Sequence, residues 1–552
     1  MRKKRILFFS EATFLNTGYA TYAREILTYL HNTGKYEIAE LASYGAPDDP
    51  RSLDIPWGYY GAALSSNATQ EETELFKSKP TYQFGEYRFP SVCLSFKPDI
   101  VCDIRDFWML EFAQRSPYRP FYKWCIMPTV DAAPQARQWI NAYQEADACL
   151  SYSDWAGDVL KKQTNNNINY IGSAPPSAHP AYNLVEDKAV SRKSMGIPEN
   201  KKVIGTVMRN QRRKLYPDLF QSFRMLLDRV DDPENYILYC HTSYPDMGWD
   251  LPELIQEYGL SSYTMFTYVC RSTKKPFCSH FTGPTAVSPY TKKYDGIIAN
   301  VKSGLSYADL ATLMNCFDIY VQYANSEGFG LPQVEAAACG VPVASINYSA
   351  MESVVKQLGA IPLEPKALYK EMETGCMRAV PNNEDTATKL IEFFKNPSPV
   401  RKQLGFKVRQ NFLQHFQWDK SGAVWEKYFD SISIPDEKDT WLSKPDIQQP
   451  TPKQDPNGFQ SFDHMATFLI NDVLKKPEMI NSMLYARLVR DLMYGYTTSH
   501  VDGVYQNENS MITDGRKAAA SFNYDTAYEN VLHMRNYINL LETRRAEAFD
   551  LK

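Results

Sequence analysis

The stretch "DIYVQYANSEGFGLPQVEAAACGVPVASI", residues 318–346, limits the possible folds more than any other part of the chain. "DIYVQYA" is a short apolar run rich in β-branched and aromatic residues, and the polar "NSEGFG" bounds it. Pro332 suits the first turn of a helix over "PQVEAAAC", Gly340 is placed to end that helix, and "VPVASI" begins the next strand. Two strands joined through a helix lie parallel. The chain must therefore build a parallel sheet with helices on its faces.

The turn inside this unit also carries chemistry. A glycine-rich strand-to-helix turn offers free backbone N–H groups at a positive helix end, which together bind phosphate. Gly328 and Gly330 let the backbone of Gly328, Phe329, Gly330 and Leu331 come close to such an anion. Glu335, in the first helical turn, is expected to accept two hydroxyls of a ribose. Glu327, ahead of the turn, is expected to hold hydroxyls of a second polyol. A nucleotide diphosphate sugar has ribose, diphosphate and sugar in that order. A purely structural turn is the alternative, and the rest of the chain has to decide.

The same βαβ grammar runs through the chain twice. "RILFFS", the helical "YATYAREILTYLHNTG" and "YEIAELASY" open a first series, and "KPDIVCDI", "YKWCIMPTV" and "ADACLSYS" continue it. After "IGSAPPSAHPAYN", a Pro- and Ser-rich crossing, "KVIGTVM", "NYILYCH" and "SYTMFTYV" open a second. The expected domains are 1–172 and 186–432, with 270–300 as an insertion, a linker over 433–458 and a helical extension over 459–552. At 552 residues there is room for them.

In the second series, "GTVMRNQRRKLYPDLF" places Arg209, Arg212, Arg213 and Lys214 between a strand end and a helix start. Ligands of open α/β sheets lie at such places, and arginine clamps phosphate bidentately while lysine adds a point charge. Arg212 is expected to face solvent.

Composition excludes several classes. A net charge of −4 argues against a surface that is wholly a nucleic-acid footprint. The basic opening "MRKKRILFFSEATF" has too short an apolar segment for a secretion signal, and no run of about 18 apolar residues spans a membrane. The ten cysteines follow no disulfide framework, which points to reduced thiols and a cytoplasmic protein. Cys270, Cys278 and His280 cluster in "CRSTKKPFCSH", but their spacing fits no standard zinc module.

The segment "EGFGLPQVEAAACGVPV" resembles the mark of the retaining glycosyltransferases of family 4, "EGFGLPxxEAxAxGxPV". The resemblance covers about residues 1–430. It implies the GT-B fold, an α/β architecture of two Rossmann-like domains facing across a cleft, to which this chain adds its C-terminal helical extension. It also implies transfer of a sugar from a nucleotide diphosphate sugar to an acceptor hydroxyl with retention. Arg209 and Lys214 resemble the family's basic donor clamp, and Arg213 lies between them. Asn16, Thr17 and Gly18 resemble its acceptor-side loop, although the family often has a double glycine there. "PTVDAAP" corresponds to its central His-Asp loop, with Val130 in place of the histidine and Asp131 as the catalytic contact beside Glu327. No metal or cofactor is expected, because no Asp-x-Asp motif is placed to meet the diphosphate. The acceptor is left between an envelope glycan and a hydroxylated base of DNA, as virus-encoded enzymes modify, and the tail is expected to mediate dimerisation or partner docking. A nucleotide-sugar epimerase of the same fold and a non-catalytic nucleotide-sugar binding protein are the alternatives.

Overall fold

Strand β1 (Lys4–Glu11) carries Ile6, Leu7, Phe8 and Phe9 in succession, all fully buried, as a strand covered on both faces requires. It founds a parallel sheet with β2 (Tyr36–Ser43), β3 (Gly58–Gly61), β4 (Ile100–Asp103), β5 (Lys123–Ile126), β6 (Ala148–Ser151) and β7 (Tyr170–Ser173). Their order is β3-β2-β1-β4-β5-β6-β7, so the winding reverses between β1 and β4. This is a computed structural model, and it describes residues 2–434 apart from 117, 301 and 302, then 441, 459, 462–482, 485, 528, 531 and 535.

A second sheet begins with β8 (Lys202–Val207), β9 (Tyr236–His241) and β10 (Thr264–Cys270). Three short strands follow, β11 (Pro276–Ser279), β12 (Thr285–Ala286) and β13 (Gly296–Ile298), then β14 (Ile319–Gln322), β15 (Val343–Ile346) and β16 (Ile361–Leu363). The order is β12-β13-β10-β9-β8-β14-β15-β16, and here the winding reverses between β8 and β14. The segment 270–300 thus adds antiparallel strands beyond β10. In it, the Cys270 thiol donates to Asp295 at 3.3 Å and the His280 ring bonds the Thr264 carbonyl at 2.7 Å. Among the described residues no group of three or more His, Cys, Asp or Glu could hold a metal ion. An antiparallel hairpin, β17 (Pro365–Lys370) and β18 (Met377–Pro381), stands off the second sheet.

The helix Trp418–Ser431, which the sequence-based limits assign to the second domain, packs instead on the first. Trp425 lies edge-on to Phe8 at 5.5 Å and donates its indole N–H to the Tyr22 hydroxyl at 2.9 Å. Tyr29 donates to Glu426 at 2.7 Å, and a Cβ at Gly422 would fall 2.4 Å from the Tyr29 ring, so only glycine fits there. Its periodicity shows a helix, but periodicity does not say which apolar surface the helix meets. One apolar cluster consequently runs from the first sheet through this helix into the second domain.

In the tail, Phe462–Phe468 is helical and continues as a π-helix over Leu469–Leu474. Leu469, Ile470 and Val473 form a small core of their own with Val531. Trp441 packs on Phe121 and Tyr118 of the first domain, at 4.9 and 6.0 Å. The remainder of the expected linker and helical extension lies outside the described residues. No helix among the described residues is long and apolar enough to cross a membrane.

Candidate active site

Two strand-to-helix turns meet across the domain boundary, each at the switch point of its sheet, where open α/β sheets bind ligands. After β1, the Thr17 side chain accepts the Ala20 amide at 3.3 Å and caps the helix Gly18–Asn32. After β14, Gly330 takes φ +88° at the start of the helix Leu331–Ala338, and Gly340 takes φ +68° just beyond its end. Both positions are left-handed and favour glycine. The two helix N-termini face one cavity of about 630 Å³ between the domains.

The turn residues are packed closely. A Cβ at Gly328 would stand 2.5 Å from the Thr129 methyl group of the opposite domain, so the domains approach here only because residue 328 lacks a side chain. Gly18 is the opposite case. A Cβ there would meet nothing within 4 Å, because the space it faces is open.

Glu327 is held by three donors from the second domain. Its Oε1 accepts from the Lys214 ammonium and from Gln322 at 2.9 Å, and its Oε2 accepts from Arg213 at 2.6 Å. Backbone pairing brings the two segments together: the Leu215 amide donates to Tyr323 and the Asn325 amide to Arg213, with Lys214 bridged to Ala324. Burial, and then the neighbouring Arg213, push the Lys214 pKa well down, and Glu327 supplies its counter-charge. The Lys214–Glu327–Arg213 cluster stands beside the N-terminus of the helix Leu331–Ala338.

The other expected residues divide. Arg209 lines the cavity but is half exposed and is held bidentately by Asp246 at 2.9 and 3.0 Å. Arg212 is exposed, as its position predicts. Thr17, Gly18, Asp131, Arg213 and the 327–331 turn line the cavity. Asn16 does not; it is exposed. Lys214 lies buried beneath Glu327 rather than on the cavity wall. Glu335 is also absent from that wall. It sits farther along the helix, buried with Tyr182 as hydrogen-bond partner, and burial pushes its carboxyl up to about 7.

Several site residues escaped the sequence. Arg378, on β18, binds Asp131 at 2.7 Å and Glu371 at 2.8 Å, and donates to Ser326. Burial opposes its charge, but Asp131 and Glu371 outweigh burial and hold its pKa above the ordinary arginine range. It therefore ties the first domain's aspartate to the second domain's glycine turn. Asp106 faces the same cavity, with Tyr19 and Thr129 as hydrogen-bond partners; burial, and then Asp131, push it up to about 7. Glu11 accepts the Thr17 hydroxyl, and burial raises its pKa. Arg378 and Asp106 stand in segments with no phosphate or glycine pattern, and Glu11 only precedes the Asn16–Gly18 loop. Only their position at the carboxyl end of a strand could have marked Glu11 and Asp106.

Residues 299–411 match the family model described as Glycosyl transferases group 1. No curated protein matches the chain by sequence. Solved structures do resemble it: sucrose-phosphate synthase from Thermosynechococcus elongatus has a TM-score of 0.57 at 15% identity, covering 78% of this chain and 98% of that one. A glycosyltransferase from Rickettsia africae gives 0.54 at 13%, with the same coverages. Anabaena HepE, solved with UDP and glucose, gives 0.54 at 13%, covering 78% of this chain and all of that one. The fold is that of the GT-B glycosyltransferases, and the family match within it is to a glycosyltransferase model. Within the second domain the segment 299–411 matches the glycosyl transferases group 1 model, and Glu327, Arg378 and the glycine turn all lie inside it.

Proposed function

We propose that the protein transfers a sugar from a nucleotide diphosphate sugar to an acceptor hydroxyl, with retention at the anomeric carbon and without a metal. The observation that carries this reading is the Lys214–Glu327–Arg213 ion-pair cluster, set beside a glycine turn that opens a helix into an interdomain cavity. A protein of the same fold solved with UDP and glucose fits this donor class.

In the step proposed, the bond between the anomeric carbon and the phosphate oxygen breaks, and its electron pair leaves with the diphosphate. The acceptor oxygen forms the new bond on the same face, and its proton passes to the departing phosphate oxygen. The positive charge at Arg213, the turn amides and Arg209 stabilise the diphosphate as its charge grows; such preorganised donors commonly contribute about a hundredfold or more in rate. Arginine charge takes the part that a cation would play in a metal-dependent site. Glu327 is itself held from three sides, so its role is to fix Lys214 and Arg213 and to present its remaining lone pairs to the sugar.

The test is a screen of nucleotide diphosphate sugars for released nucleoside diphosphate, in the presence and absence of EDTA, followed by proton NMR of the product. Release that survives EDTA and a product keeping the donor's anomeric configuration are expected. Inversion would end the retaining reading, and a donor epimerised without diphosphate release would favour an epimerase.

A further inference from the structure

The two walls of the cavity differ in charge. Among the charged residues that line it, every cation comes from the second domain: Arg209, Arg213 and Arg378. Every charged group from the first domain is a carboxylate: Glu11, Asp106 and Asp131. Asp131 is neutralised by Arg378, whereas Glu11 and Asp106 have no ion pair among the described residues. Both have raised pKa values, chiefly through burial, so this wall already disfavours negative charge. An anion placed against it would add like-charge repulsion to the loss of its hydration.

The same wall carries an aromatic shelf. Phe107 stacks on Trp139 at 5.7 Å, and Trp108 meets Trp139 edge-on at 6.3 Å. Trp108 is 48% exposed although it lines the cavity. A large indole face open to a concave site, with hydrogen-bond acceptors beside it, suits a ligand that has an apolar ring face and a rim of hydroxyls.

We infer that the acceptor is an uncharged saccharide, its ring laid on Trp108 and Trp139 and its hydroxyls directed to Asp106 and Glu11. Sugar phosphates and the phosphodiester backbone of DNA are discriminated against at this wall. The inference rests on the glycosyl-transfer reading above and narrows its acceptor. An acceptor hydroxyl gives its oxygen to the anomeric carbon and its proton to the leaving diphosphate; with no acceptor present, water does the same.

The experiment uses the full chain and a donor that it hydrolyses in water. Diphosphate release is then compared with three acceptor classes at equal concentration: methyl hexosides and neutral disaccharides, hexose 6-phosphates, and a duplex containing 5-hydroxymethylcytosine. A neutral saccharide should accelerate release at least about tenfold over water and exceed both anionic classes. Trp108→Ala should lower kcat/KM for that saccharide about tenfold, with Trp108→Phe recovering most of it, as expected for a ring-stacking contact. An anionic acceptor that equals or exceeds the neutral class overturns the inference. So does a neutral class with no gain over water, or a Trp108→Ala variant with unaltered kcat/KM. If no donor of any kind releases diphosphate, it is the glycosyl-transfer reading itself that fails, which is a separate outcome.

Discussion

The turn after β1 and the turn after β14 are built alike: each leads from a buried strand, past an acidic residue, to the N-terminus of a helix that faces the cavity. Their acids have opposite fates. Glu11 receives a hydroxyl, from Thr17, and among the described residues pairs with no cation. Glu327 is gripped by Lys214 and Arg213. The difference arises in the neighbouring segment, because the loop after β8 lies along the start of the second turn and brings its cations with it. One structural unit thus leaves only carboxylates among the charged groups of the first domain's wall and brings arginines to the second domain's.

The largest effect should come from cutting that grip. Glu327→Ala leaves the buried Lys214 ammonium without its counter-charge, at a cost of about 3–5 kcal/mol in stability. Transfer should fall by about a hundredfold or more. Denaturant unfolding and kcat/KM check both, and unchanged stability would show that the second turn does not depend on its ion pairs.

Closing the space between the turns comes next. Gly328→Ala drives a methyl group into Thr129, and overpacking of this kind costs about 1–3 kcal/mol. Thr129→Ser removes the methyl that it strikes. The double variant should therefore recover much of both stability and turnover, and a double variant no better than Gly328→Ala would break the steric account.

Arg378→Ala should cost about 1.5–3 kcal/mol, the worth of charge-assisted bonds to Asp131 and Glu371. Thermal unfolding and kcat/KM measure it, and loss of activity without loss of stability would place Arg378 on substrate rather than between the domains.

Each domain also buries a carboxyl that titrates late. Asp106 is pushed up to about 7 from an ordinary value near 4, and Glu335 behaves likewise at the second domain's helix. The folded chain therefore holds protons that the unfolded chain has released, and these two groups make stability fall as pH rises from about 4 to 7. Above that window their contribution is constant. A melting series over pH should show the fall, and Asp106→Asn should flatten part of it; an unaltered slope would contradict the assignment. The smallest loss of stability is expected from Arg209→Ala, at about 0–1 kcal/mol, since its partner Asp246 meets it at the surface. The variant's activity should fall far more than its stability, by about a hundredfold or more, because Arg209 also faces the diphosphate in the step proposed; unaltered kcat/KM would remove it from that role.

Much of this was legible in the residues. Apolar runs and helix signals are local, so β1, β14 and the helix Leu331–Ala338 follow from neighbours in the chain. The left-handed Gly330 and Gly340 follow from the same segment. The pairing of Glu327 with Lys214 was within reach, because both stood at strand ends of one sheet. The surroundings of Glu335 were not legible: helical position tells how far along the axis a residue lies, whereas the side chain it bonds is Tyr182, more than 150 positions away.

By itself, then, the amino-acid order determined the two successive parallel α/β units, the glycine turn that opens a helix, and the basic loop that precedes it. Each of these rests on interactions within a few residues. Only the tertiary structure decided that Arg378 joins Asp131 to Ser326, that the helix Trp418–Ser431 returns to the first domain, and that one cavity wall is acidic and aromatic while the other is basic. Those depend on charge and shape brought together from distant segments. The cavity exists only where the two sheets meet.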